Sequence, residues 1–176
     1  MSFLNAPLVV VTGVSGAGKS AVGALLARQL KAEFLEGEHL HPARNQERLA
    51  AGIPLTENDR RDWMLEIAQQ IADAMAGDHA LVVACPALRR ADRQLLRSAA
   101  AQLAFVHLQA TPALLAARAP SRTLPDPPLD LQWKMLEPPG ADERAITVDA
   151  ALPPADIANQ AAAWLDPRKP DGGRRR

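Results

Sequence analysis

Two kinds of apolar pattern alternate along the chain. Leu8 to Thr12, Ala80 to Cys85 and Ala104 to Gln109 are short, almost unbroken apolar runs, the length of strands buried on both faces. Ala32 to Leu35 and Ala145 to Val148 are two shorter runs of the same kind. Between them the spacing turns helical: Lys19 to Lys31 sets Val22, Leu25, Leu26 and Leu30 on one face. Pro42 to Ala51 reads as a helix stopped by Gly52, and Arg90 to Ala100 as another. Thr56 with Asp59 three residues on predicts a capping box, opening a helix whose inner stripe is Trp63, Ile67 and Ile71. Thr111-Pro112 is a cap followed by a first-turn proline for a helix reaching Arg118, and Asp156 to Leu165 is the last helix. Strands alternating with helices predict a five-stranded parallel sheet with helices on both faces, a three-layer α/β/α architecture.

One segment has neither period. Ala119 to Pro128 holds four prolines in ten residues, and a long irregular stretch in a compact domain suits a loop over a ligand. A lid at about 118–131 is expected inside a single domain of residues 1–165.

Composition narrows the setting. The 176 residues are 48% hydrophobic, enough for one domain with a core that needs no disulfide or metal staple. Twenty basic residues balance twenty acidic ones, which argues against bulk nucleic-acid or membrane-surface binding. The single cysteine, Cys85, excludes a disulfide framework and fits a reducing cytoplasm. No apolar run is long enough for a bilayer, and the first residues lack a secretory pattern. Residues 166–176 carry five positive against two negative charges and no apolar anchor, a solvated, disordered basic tail.

The decisive motif is Gly13-Val14-Ser15-Gly16-Ala17-Gly18-Lys19-Ser20, a complete G-x-x-x-x-G-K-S. It follows a predicted strand and opens a helix, where backbone amides and the helix dipole together hold phosphate. Gly13, Ser15, Gly16, Ala17 and Gly18 form the cradle; Lys19 brings charge to the outer phosphates, and Ser20 a hydroxyl for Mg2+. ATP and Mg2+ are the cofactors this implies, on a P-loop NTPase fold. Glu36 and Glu38 follow the second strand at the carboxyl end of the sheet, where such folds bind ligands. One can act through water on the metal while the other accepts a hydrogen bond from an attacking hydroxyl. His39, His79 and His107 have no metal-ligand spacing and read as structural; His41 is open between loop and site. Trp63 reads as core first and as substrate wall second.

From Glu36 to Trp63 the chain resembles the gluconokinases of the shikimate-kinase-like group, through His41-Pro42, Asn45, Gly52-Ile53-Pro54-Leu55 and Asp59-Arg60. The resemblance continues in Val83-Ala84-Cys85-Pro86-Ala87-Leu88-Arg89-Arg90, Gln132-Trp133 and Leu136-Glu137-Pro138-Pro139. It implies magnesium-ATP-dependent phosphorylation of D-gluconate on its 6-hydroxyl, and a homodimer. Carried over by residue, it puts Glu36, Glu38, His41, Asn45 and Arg60 around the sugar acid, with Glu38 toward the acceptor hydroxyl and Glu36 with Ser20 toward the metal. Arg60 and Arg89 are candidates for the acid's carboxylate, because a planar guanidinium grips both oxygens. Arg118 and Arg122 are the candidate lid arginines for the transferring phosphoryl group.

Four departures mark the chain. The related kinases have Asp-x-Asp where Glu36-Gly37-Glu38 stands, serine at Pro86 and proline at Asp62. Around residues 118–125 they carry Gly-His-Phe, which is missing here, and an earlier arginine that falls on Leu114. The altered lid keeps two other readings open: a kinase for another small polyol acid, and an ATP-binding module with weak or lost turnover.

Overall fold

The structure, a computed structural model, describes residues 6–118 and 127–166. Five strands, β1 (Leu8–Thr12), β2 (Glu33–Glu36), β3 (Leu81–Ala84), β4 (Ala104–Gln109) and β5 (Ala145–Asp149), form one sheet in the order β2-β3-β1-β4-β5. Every pairing is parallel. The described helices are α1 (Lys19–Leu30), α2 (Ala43–Ala50), α3 (Glu57–Ala76), α4 (Arg90–Ala99), α5 (Pro112–Ala117), α6 (Leu129–Met135) and α7 (Pro154–Leu165). A 3₁₀ turn, Gly37–Leu40, follows β2.

The inner strands β1, β3 and β4 are mostly apolar because both faces are covered, while the edge strands β2 and β5 are partly exposed. Along β1, Leu8 and Val10 enter a core with Trp63, Ile67 and Ile71 of α3 and Leu96 of α4. Val9 and Val11 point the other way, toward Val22 and Leu26 of α1 and Ile157 of α7. The three-layer expectation is met, with boundaries shifted by a residue or two. The capping box forms in both directions: Thr56 Oγ1 accepts from Asp59 N at 3.1 Å, and Asp59 accepts from Thr56 N at 2.9 Å. Such a cap stabilises a helix by about 1 kcal/mol. Thr111 likewise accepts from Leu114 N at 3.1 Å, and α5 stops at Ala117.

Residues 129–131, at the far end of the expected lid, are the first turn of α6, entered from Pro128, with Leu129 and Trp133 packed onto the α1/α7 core. Residues 119–126, with Arg122, and the tail from 167 on lie outside the described residues.

A buried ion pair closes the α4 side. Arg93 and Glu143 each have a side chain 1% exposed, joined at 2.9 Å and 3.0 Å, with Arg97 adding a bond at 2.9 Å. Arg93 Nη1 also donates to the carbonyls of Ala87 and Leu88 at 3.1 and 3.2 Å. Ala87 has φ +39°, a left-handed conformation unfavourable for alanine, so these bonds hold the β3–α4 loop in place. Glu137 docks on the same loop, its backbone N–H donating to Leu88 O at 2.9 Å and its carboxylate accepting from Arg90 N at 2.6 Å. No described helix is long and apolar enough to cross a membrane.

Candidate active site

β1 delivers Gly13 to the carboxyl edge of the sheet, and the chain turns back on itself before α1. Gly16 (φ +84°) and Gly18 (φ +100°) take conformations that residues with a Cβ rarely adopt, which lets the backbone of residues 13–20 close into a cradle. Gly18 caps α1 without any side-chain hydrogen bond, and the first turn holds no acid. The amides at this helix end are therefore free of side-chain caps, as a phosphate site requires. Lys19 Nζ donates to Val14 O at 3.0 Å across the loop. Burial lowers its pKa from the usual lysine value, while nearby Cys85, Glu38 and Glu36 pull it upward. The Cys85 thiol is itself pushed up to about 12 by burial, so it stays protonated and inert.

Glu36 and Glu38 flank Gly37, which has almost no room for a side chain. A Cβ there would lie 2.5 Å from Ala84 O and 2.9 Å from Cys85 Cβ. That close approach presses the turn carrying Glu38 onto the end of β3. Ser20 Oγ donates to the Glu36 carboxylate. These two hard oxygen groups fit Mg2+, which keeps several waters and takes its remaining ligands from phosphate, so the lack of a larger acidic cluster among the described residues is no obstacle.

Trp63 joins the carboxylate turn to the next wall. Its Nε1 donates to Gly37 O at 2.7 Å, and its ring stacks on His41 at 3.9 Å between centroids. Trp63 is thus both core and wall. His41 stands beside fully buried Asn45, whose Nδ2 lies 3.4 Å from His41 Nδ1 and donates to Asp59 O at 2.9 Å. Asn45 Oδ1 is buried without a hydrogen-bond partner, a polar atom held ready for a donor.

Trp63, Arg60, Arg89, Pro86, Leu88, Gln132 and Pro127 are among the residues enclosing a cavity of about 40 Å³. Gly13 N donates to Pro86 O at 3.3 Å, so this cavity shares a wall with the phosphate loop. Its volume is far below the roughly 300–1,000 Å³ of a ligand pocket. At its rim Arg89 Nη1 and Arg60 Nη1 meet the same carboxylate, Glu57, at 2.9 Å and 3.2 Å. A wider groove of about 810 Å³ runs between α2 and the start of α3, lined by Arg44, Arg48, Asp59 and Asp62 among others. Its arginines are already paired with Asp59 and Asp62, and none of its lining residues belongs to the phosphate loop.

Arg118 lies beside the phosphate loop, donating to Gly16 O at 2.7 Å and to Ala150 O at 2.5 Å. The structure therefore brings Gly13 to Ser20, Glu36, Glu38 and Arg118 together, and sets Trp63 between them and His41, Asn45, Arg60 and Arg89. Three residues with a part in shaping the site were given no role by the sequence. Thr12 donates to Pro86 O, Arg93 holds Ala87, and Gln132 reaches Ser15. Only Gln132 carried a signal, through the Gln132-Trp133 motif of the family resemblance.

Residues 8–133 match the family described as AAA domain. The thermoresistant gluconokinase of Escherichia coli K12 is 35% identical over 80% of this chain and 82% of its own length. The gluconokinase of Gluconobacter oxydans is 36% identical over 86% of both chains. The chain belongs to the gluconokinase family. A crystal structure of a gluconokinase from Sinorhizobium meliloti superposes with a TM-score of 0.78 at 38% identity, covering 89% of this chain and 90% of that one. Membership makes the chain a P-loop kinase.

Proposed function

We propose that this chain transfers the terminal phosphoryl group of ATP directly to the 6-hydroxyl of D-gluconate, giving 6-phospho-D-gluconate. Within a gluconokinase-family chain, the observation that carries the reading is the convergence of Arg60 and Arg89 on one carboxylate at a cavity walled by the phosphate loop's own partner, Pro86. A sugar acid needs a cation for its carboxylate at one end and a phosphoryl donor at the other.

In this reading the phosphate-loop amides other than those of Gly13 and Ser15, which bond Pro86 and Gln132, hold the phosphates with Lys19, and Lys19 balances charge on the transferring group. Glu38 orients the acceptor hydroxyl and takes its proton as the oxygen–phosphorus bond forms and the bond to ADP breaks. Ser20 and Glu36 would hold Mg2+, which when bound neutralises phosphate charge. Asn45 and His41 meet hydroxyls, and Arg60 and Arg89 the carboxylate. Arg118 steadies the loop from outside, and Arg122 belongs to the proposed lid. Sites of this kind reject analogues that lack a hydroxyl, since their own polar groups are then left unpaired. The reading extends to a cytoplasmic homodimer, and light scattering tests the dimer.

The test is ADP release from magnesium ATP with and without D-gluconate, beside Lys19→Ala. Gluconate-stimulated release that disappears in the variant supports the reading. ATP binding without stimulation sinks it.

A further inference from the structure

Gln132 is 2% exposed, in the middle of a seven-residue helix, and its whole amide is in use. Its Oε1 accepts from Ser15 N at 2.8 Å; its Nε2 donates to Ser15 Oγ at 2.9 Å and to Pro127 O at 2.8 Å. The orientation of the amide is forced, because a backbone N–H can only donate and a carbonyl can only accept. Ser15 is the third residue of the phosphate loop. Pro127 is the first described residue after position 118, and Gln132 and Pro127 both line the cavity beside Arg60 and Arg89.

We infer that Gln132 is a positioning residue, which holds the phosphate loop in its nucleotide-binding shape and ties that shape to the acceptor side of the cleft. Three features carry this. A buried amide with no unpaired atom is costly to disturb, because each lost partner leaves a desolvated group behind. Its partner in the loop lies 117 residues away, so the bonds fix tertiary geometry and not merely the helix. Finally, the bond fixes the Ser15 N–H toward Gln132 of α6, immediately before Gly16, whose φ of +84° turns the loop. A phosphate loop works through amides that are aimed before the ligand arrives, and loss of this clamp loosens the aim.

The inference rests on residues 13–20 being the nucleotide site. Binding of a non-hydrolysable ATP analogue to the wild-type chain checks that premise separately, without calling on any acceptor. The experiment measures analogue affinity, and KM for ATP against kcat, in Gln132→Met, Gln132→Glu, Ser15→Ala and the double variant Ser15→Ala/Gln132→Met. Gln132→Met keeps the side chain's length and apolar packing while removing every hydrogen bond. Gln132→Glu keeps an acceptor for Ser15 N but loses the donor to Pro127 O.

The expected result is an analogue affinity weakened about tenfold or more in Gln132→Met, corresponding to the loss of one to two net hydrogen bonds. Gln132→Glu falls between this variant and wild type. Ser15→Ala costs a few-fold on its own and nothing further on top of Gln132→Met, since both remove the same bond. The rise in KM for ATP exceeds the fall in kcat. Thermal melts establish that each variant is folded, and Gln132→Glu supplies the answer if Gln132→Met is not. A folded Gln132 variant that binds the analogue within twofold of wild type overturns the inference. So do effects of Ser15→Ala and Gln132→Met that simply multiply, which would mean that they act apart.

Discussion

The carboxylate of Glu57 lies 2.9 Å from Arg89 Nη1, and the same carboxylate receives Arg60 Nη1 at 3.2 Å. The two guanidinium groups assigned to a sugar acid's carboxylate thus grip an acid of the chain itself. The hydrogen bond from Arg89 keeps the Glu57 carboxyl below its ordinary pKa, so it is ionised wherever the enzyme works. On the proposed reading, a substrate carboxylate has to displace it.

Glu57→Gln removes this competitor. Partly exposed ion pairs of this type are worth about 0.2–1 kcal/mol each, so KM for D-gluconate is expected to fall by about two- to fivefold with kcat nearly unchanged. Arg89→Ala acts in the opposite direction and raises KM by about tenfold or more, having lost a charged hydrogen bond. Steady-state kinetics with gluconate varied at saturating ATP decides both. A KM that ignores Glu57→Gln would place the substrate carboxylate elsewhere.

Gly37→Ala tests the spacing of the two carboxylates. The added Cβ meets the Ala84 carbonyl at 2.5 Å, and because the obstacle is backbone, the turn bearing Glu38 has to move. The expected cost is about 1–3 kcal/mol of stability, as in other overpacked sites. Activity falls much further than this because Glu38 and Gly37 O, the acceptor for Trp63, shift together. A melt shifted by a few degrees with kcat intact would mean that Glu38 tolerates displacement.

The legible parts of this molecule are the local ones. β1, β3 and β4 could be read because burial on both faces leaves each a nearly unbroken apolar run, and the phosphate loop because its eight residues are contiguous. The Thr56–Asp59 box spans four residues and was readable for the same reason. By contrast, α6 begins after a proline-rich stretch, is only seven residues long, and turns a polar Gln132 inward toward a partner 117 residues away. The Arg93–Glu143 pair joins residues 50 apart, and no pattern near either marks the other. Arg60 and Arg89 were each nameable from their motifs. That Glu57 stands between them depends on how α3 meets the β3–α4 loop, which is a property of packing.

Glu36→Gln addresses the metal. With Ser20 Oγ donating to Glu36, replacement by an amide keeps the shape and removes the charge. The Mg2+ concentration needed for half-maximal activity is expected to rise about tenfold while saturating Mg2+ restores most of kcat, and EDTA abolishes activity in both proteins. An unchanged Mg2+ requirement would move the metal away from Glu36.

Acid should weaken the fold in two separable steps, both beside Arg93. Buried His107, 3% exposed, has its pKa lowered from 6.5 to about 4 by desolvation, with the charge of Arg93 adding to the effect. Between those values the unfolded chain binds a proton that the folded chain refuses, so stability falls as pH drops from 6.5 toward 4. The shift corresponds to about 3 kcal/mol. Glu143 behaves as a depressed carboxylate, lowered from 4.5 to about 2 first by its hydrogen bond with Arg93. Its contribution is fully present above pH 4.5 and is lost as pH falls through 2, again about 3 kcal/mol. His107→Gln should therefore flatten the stability profile between pH 6.5 and 4 and leave the lower step in place. Glu143→Gln should erase the lower step, and it should also cost about 3–5 kcal/mol at neutral pH by leaving Arg93 buried without a counter-charge. Urea unfolding of the three proteins across pH 2–8 separates these outcomes. A His107→Gln profile as steep as wild type between pH 6.5 and 4 would assign that step to another group.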